Sequence, residues 1–307
     1  MSQASQPMSV RTPRLSERFH ESIAGYLLSL PAVAALVAFL VLPILFALVL
    51  IFFDYSILAP PKWAGLDNIQ RLFDDKRLWT AYRNSFVMSV GCVAGNNLLG
   101  LLLAMGVNRR MPKILKYIFR TTLFFPVITT TASLAMVWRL ILTQDRGIMN
   151  WLIGTIGLGP VPWLSSPHWA MGSAIMFDIW KASGFYMVIY LAGLQGIPEP
   201  LYEAAKIDGA SQWQLTRYIT LPLITPTAFF CIIISTIGAI QIFDNAYVLT
   251  RGGPGDATRT IAMYIYEVGF KRFEMGYAAT VSTLLLIILV ALTLLQFRGG
   301  RRWVHYD

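Results

Sequence analysis

Six blocks of apolar residues, each long enough to cross a bilayer, leave this chain few possible folds. They fall at about 27–53, 84–107, 117–142, 169–194, 223–249 and 277–297. A membrane-spanning helix needs roughly 20 such residues. Helix is the expected conformation, because an open sheet edge cannot satisfy its backbone in lipid and no alternating barrel pattern is present. Charge agrees with this reading. Only 13% of the 307 residues are Asp, Glu, Lys or Arg, where soluble domains carry about 25%. The expectation is an all-α membrane protein with one transmembrane domain at 27–297, between tails at 1–26 and 298–307.

The first block reads as a retained span, since it is too long for a signal-peptide core and no small-residue cleavage site follows it. Cys92 and Cys231 fall inside spans and suggest neither a disulfide nor a metal framework. Lys and Arg set the orientation. The N-terminal tail, the 108–120 and 196–222 loops and the C-terminal tail carry 13 of them, against 9 in the three opposite loops. Five of the 13 crowd into one short loop as Arg109, Arg110, Lys113, Lys116 and Arg120. Both termini are therefore expected in the cytoplasm. Topology and anionic membrane lipid account for the basic excess, so a nucleic-acid partner has no support.

The outer loops offer little chemistry. In GLDNIQRLF, residues Leu66, Ile69, Leu72 and Phe73 share a helical face, as in an interfacial helix or a platform for an extracytoplasmic partner. Trp151, Trp163 and Trp169 mark a membrane interface. Pro31, Pro43, Pro126 and Pro226 lie inside spans and are expected to bend them.

Between the fourth and fifth spans runs IPEPLYEAAKIDGASQWQLTRYITLPLITP. Pro200 suits a first helical turn, with Glu199 and Glu203 near its positive end. Glu203, Ala204 and Ala205 continue the helix, Asp208 follows, and Gly209 is a natural stop. A second short helix should put Leu215, Tyr218 and Ile219 on one face before Pro222 opens the fifth span. The result is a helix–turn–helix at 196–222, either a docking element or a packed structural loop.

This stretch resembles the EAA loop of binding-protein-dependent ABC import permeases. Glu203, Ala204, Ala205, Gly209, Ile219, Leu221 and Pro222 fall on its pattern without a gap. FDNAYVLTRGGPGDAT (243–258), GYAATVS (276–282), FRTTLFFPVITT, IWKASGFYMVIYLAGLQGIP and the closing RRWVHY are similar to the carbohydrate-uptake subclass, typified by maltose and glycerol-3-phosphate permeases. The resemblance implies the type I importer fold in its six-span form, in the bacterial inner membrane. It implies a second permease subunit, most simply as a heterodimer, two cytoplasmic ATPase subunits and an extracytoplasmic solute-binding protein. ATP and Mg would reside on the ATPases, and this chain would bind no cofactor. Glu203 and Gly209 would couple the ATPase groove to the membrane helices.

Residue chemistry fits that division. No G-x-x-x-x-G-K-[ST] loop occurs. His20, His168 and His305 are scattered, so neither a metal site nor a nucleophile constellation is expected. The class alternative is a secondary transporter or channel working without ATP.

Polar residues within spans mark a possible pathway: Asn96, Asn97, Arg139, Asp178, Lys181, Gln241, Asp244 and Asn245. Asp178 and Lys181, one turn apart, could neutralise each other as a structural pair or belong to the pathway. Gln241, Asp244 and Asn245 at i, i+3 and i+4 would form one polar stripe, facing either the solute or the partner permease. Tyr247 lies near the outer end. Trp180, Tyr186 and Tyr190 could offer aromatic faces to a sugar ring.

Overall fold

The computed structural model describes residues 15–109 and 111–304, with side chains from Gly25 onward. Residues 1–14, Arg110 and residues 305–307 lie outside the described residues, and with them His305, one loop cation and parts of both tails.

The first span runs through α1 (Leu15–Leu36), a π-helical turn at Val37–Val41 and α2 (Leu42–Leu50). An antiparallel hairpin follows, β1 (Phe53–Ser56) with β2 (Ala59–Trp63), pairing Phe53 with Trp63. Apolar periodicity gave no hint of this hairpin. Next come α3 (Asp67–Asp74) and α4 (Lys76–Asn108), then α5 (Lys113–Ile128) and α6 (Thr131–Ile141). Short α7 (Ile148–Thr155) leads to α8 (Pro167–Gln195), and α9 (Glu199–Ile207) to α10 (Gln212–Leu215). A π-helical turn at Thr216–Thr220 precedes α11 (Leu221–Leu223), α12 (Thr225–Ile240) and α13 (Asp244–Thr250). Finally α14 (Ile261–Tyr266) and a third π-helical turn at Glu267–Lys271 lead into α15 (Met275–Gly300). Among the described residues, four helices are long and apolar enough to cross a membrane, or up to six if each of two bent pairs counts as one span.

Two of the spans are sharply bent. The third span turns by 99° between α5 and α6. Pro126 cannot donate to the helix ladder, and the Thr129–Thr131 run then leaves it in extended conformation at Thr129 and Thr130. The fifth span begins only at Thr225, because α10–α11 meets α12 at 61° just after Pro222. It breaks again at Gln241–Phe243, where Phe243 adopts φ −120° and ψ −61°.

Helices α4 and α8 form the centre. Lipid is as apolar as leucine, so close van der Waals packing rather than hydrophobic transfer must hold such a pair. Glycines allow it. A Cβ on Gly95 would lie 2.1 Å from Ile179, and one on Gly100 would lie 2.7 Å from Tyr186. Gly184 does the same for α5, whose Leu123 carbonyl oxygen would be 2.0 Å from an added Cβ. Large apolar side chains elsewhere, such as Phe39 and Leu140, are exposed on the outer surface.

The end of the molecule carrying the 55–82 and 250–276 loops is held by polar contacts. Asp75 caps α4, accepting from the amides of Arg77 at 3.1 Å and Leu78 at 3.0 Å. The same carboxylate accepts from the hydroxyls of Tyr277, at 2.7 Å, and Tyr264. Burial alone would raise the Asp75 carboxyl, but these four donors hold it below the usual carboxylate range. Beside it Arg77 pairs with Asp256 at 2.8 Å and Glu267 at 3.1 Å, while Arg259 bridges the same two acids. The turn between α13 and α14 is thereby tied to the start of α4.

Candidate functional site

The 196–222 loop is a rigid hairpin of two helices. Pro200 sits in the first turn of α9, and the helix closes with the amide of Gly209 on Lys206 O at 3.0 Å and that of Ala210 on Ala205 O at 2.9 Å. This paired closure requires a left-handed residue, and Gly209 has φ +84°. Ser211 then starts α10 with a reciprocal cap. Its amide donates to Gln214 Oε1 at 2.7 Å, and its hydroxyl accepts from the Gln214 amide at 3.4 Å. Tyr202 and Thr220 hydroxyls meet at 3.0 Å and pin the two arms together.

What the hairpin offers outward is specific. Glu203, Ala204, Asp208 and Gly209 are exposed, and Ala205 is half-buried. Ile207 is 86% exposed and Trp213 71%, so the hairpin presents two large apolar side chains outward. A Cβ on Gly209 would meet nothing within the chain, so its own fold needs the backbone freedom and not the space. The expected single face of Leu215, Tyr218 and Ile219 is not formed. Leu215 is buried but Tyr218 is exposed, because the π-helical turn at Thr216–Thr220 shifts the register of the later residues.

Within the spans the polar residues form two junctions. Asp178 on α8 accepts from Asn96 on α4 at 3.0 Å and Asn245 on α13 at 2.6 Å. Asn97 donates to Ser235 on α12 at 2.9 Å and accepts from the Tyr190 hydroxyl at 2.9 Å. Three sequence expectations are corrected here. Asp178 does not pair with Lys181, because two amides on neighbouring helices occupy its oxygens. Gln241, Asp244 and Asn245 do not share a helical stripe, because the helix stops between the first and second. Tyr186 and Tyr190 are buried among the chain's own helices, so neither presents an open ring face.

Gln241 and Asp244 remain exposed. Tyr247 stacks on Phe243 and meets Tyr266 edge-on, with Lys271 5.4 Å from its ring centroid. Trp180 is half-exposed and packs against Trp138 and Phe177. Sequence reasoning missed two participants. Ser235 gave no signal in its apolar helix, whereas Asp75 directly before a long apolar block carried the signal of a helix cap. No cluster of His, Cys, Asp or Glu able to hold a metal occurs among the described residues.

Residues 96–299 match the family described as "Binding-protein-dependent transport system inner membrane component". The chain belongs to that family. This permease is 35% identical over 297 residues to the lactose transport system permease protein of Rhizobium radiobacter, covering 94% of this chain and 98% of that one. To the trehalose/maltose transport system permease protein of Thermococcus litoralis it is 31% identical, with 92% and 96% covered. Among solved structures it resembles a bacterial ABC transporter involved in the import of the acidic polysaccharide alginate. That match has TM-score 0.82 and 25% identity, over 94% of this chain and 99% of that one. The permease is a multi-pass inner-membrane subunit of a transporter and not itself an enzyme.

Proposed function

We propose that this permease is one transmembrane subunit of an ATP-driven importer for a sugar or oligosaccharide, and that Glu203–Pro222 receives the motor's stroke. A rigid, exposed hairpin carrying Ile207 and Trp213 outward, bent by 61° from the span it drives, is the observation that supports this most directly. The names of the relatives support the sugar class. In this reading both termini and the hairpin face the cytoplasm. Two ATPase subunits bind ATP and Mg, a second permease, most simply a different chain, completes the pore, and a binding protein delivers solute from outside.

Ala204, Ala205 and Asp208 form the docking surface around Glu203. Gly209 keeps the hairpin closed and Pro222 marks the joint to the span. Gln241, Asp244, Tyr247 and Trp180, which stay accessible, line the solute's route. Lys181, a cation within a span with no partner among the described residues, favours a second reading in which the solute carries an anionic group, such as a glycerol phosphate. A ligand screen on the co-purified binding protein separates the two.

The test of coupling is uptake by the complete transporter in vesicles. Glu203→Ala and Gly209→Val should abolish ATP-dependent uptake while the subunit stays in the membrane. Uptake that persists without any ATPase subunit would sink the proposal in favour of a secondary transporter or channel.

A further inference from the structure

From Lys76 to Gln144 the sequence holds no acidic residue, yet Arg109, Arg110, Lys113, Lys116 and Arg120 crowd around the start of α5. Lys113, Lys116 and Arg120 recur at i, i+3 and i+7, which places them on one face of the helix. Lys113 and Lys116 lie in its first turn, the positive end and the wrong one for cations, and the three repel one another besides. The ion pairs among the described residues lie elsewhere and engage none of these side chains. Arg120 Nε is shielded from solvent and has no hydrogen-bond partner. A shielded guanidinium N–H without an acceptor is costly, and an anion would relieve it.

The surroundings say which kind of anion. Leu123, one turn beyond Arg120 on the same face, lines an open cavity of about 800 Å³ between α4, α5 and α8. Its walls are almost wholly apolar, with Leu99, Leu103, Phe125 and Ile179 among them. A carboxylate-free cluster of cations where a span begins, with an apolar groove one turn deeper, matches an amphiphile with an anionic head and a hydrocarbon tail.

We propose that the start of α5 is a binding site for an anionic phospholipid. Lys116 and Arg120 hold the phosphate, Lys113 stands at the rim, and an acyl chain lies in the groove. The lysine and arginine stems pack along the helix while their charged heads reach the phosphate. This depends neither on which solute is carried nor on which side of the membrane the loop faces.

Native mass spectrometry of the purified full-length permease tests it, after exposure to mixed micelles of phosphatidylglycerol or phosphatidylcholine. The wild-type protein should retain phosphatidylglycerol about tenfold more strongly, the scale of one or two charge-assisted contacts. Lys116→Gln with Arg120→Gln should reduce retention to the phosphatidylcholine level. Arg120→Lys, which keeps the charge, should preserve it and serves as the folding control, and Lys62→Gln on the hairpin should change nothing. Equal retention of both lipids, or tight phosphatidylglycerol binding by the double variant, would overturn the proposal. So would displacement of the lipid by free glycerol phosphate, which would indicate a site for soluble phosphate. In the assembled transporter, a cross-link from Arg120 to a neighbouring subunit's carboxylate would overturn it as well.

Discussion

Asp75 shows how much one carboxylate can organise. It caps α4 and accepts hydrogen bonds from the hydroxyls of Tyr264 and Tyr277, so it joins the second span to α14 and the start of the last helix. Asp75→Ala removes the cap and strands two hydroxyls, and should cost about 2 kcal/mol or more at pH 7. Thermal unfolding in detergent would measure it. Because the folded-state carboxyl titrates below its ordinary value, its contribution is complete above about pH 4 and fades as the pH falls through the folded value. The gap between wild type and Asp75→Ala should therefore narrow only in acid; narrowing near neutrality would contradict the assignment. Gly209 is a different case. Its φ of +84° costs a β-branched residue about 1–2 kcal/mol, and the space around its Cβ is empty within the chain. Gly209→Asn, which tolerates the same backbone, should keep the hairpin folded. If this variant also loses ATP-dependent uptake, the partner needs the glycine's lack of a side chain as well as its turn.

At the scale of elements, glycine contacts set the helix spacing. Gly184→Ala would push a methyl into the Leu123 carbonyl, prising α5 from α8 at about 1–3 kcal/mol. Gly172→Ala, with open space around its Cβ, should be neutral in the same unfolding assay. The sequence made six spans legible because apolar length is a local property. It made the hairpin between the fourth and fifth spans legible because Pro200 and Gly209 act on their own backbone. The break at Gln241–Phe243 was not legible. Apolar residues continue on both sides of it, and the interaction that holds the far side, Asn245 on Asp178, comes from another helix. For the same reason Asp178 and Lys181 read as a local pair, when the carboxylate in fact belongs to Asn96 and Asn245. Third-span bending was foreseeable from Pro126, but its 99° magnitude depended on the threonines that follow.

At the scale of the molecule, one region is conspicuously short of partners. The apolar stretch within Gly25–Leu50 is not buried inside the chain, although it is the most apolar of the four continuous spans. Hydrocarbon satisfies such a helix, but so would a neighbouring subunit, and the proposed second permease supplies one. Co-expression with that subunit should raise the melting temperature of the purified protein over the chain alone, in keeping with linkage between assembly and stability. An identical melting temperature would mean that the first span faces lipid in the assembled transporter.

α2 packs against α15. Those two helices leave the ribosome at opposite ends of translation, so the first helix to reach the bilayer waits for the last. Until α15 arrives, β1 has its partner strand β2 and the Asn68 side-chain amide, which donates to the Phe53 carbonyl at 3.0 Å, but the Gly276 backbone has yet to pack over that carbonyl. The packing of the first span on the last is thus made late, after the α4–α8 centre can already have formed. A nascent chain interrupted shortly before its end would have nearly all its spans and yet a first span without its α15 contact, a state that membrane proteases could tell from the finished subunit.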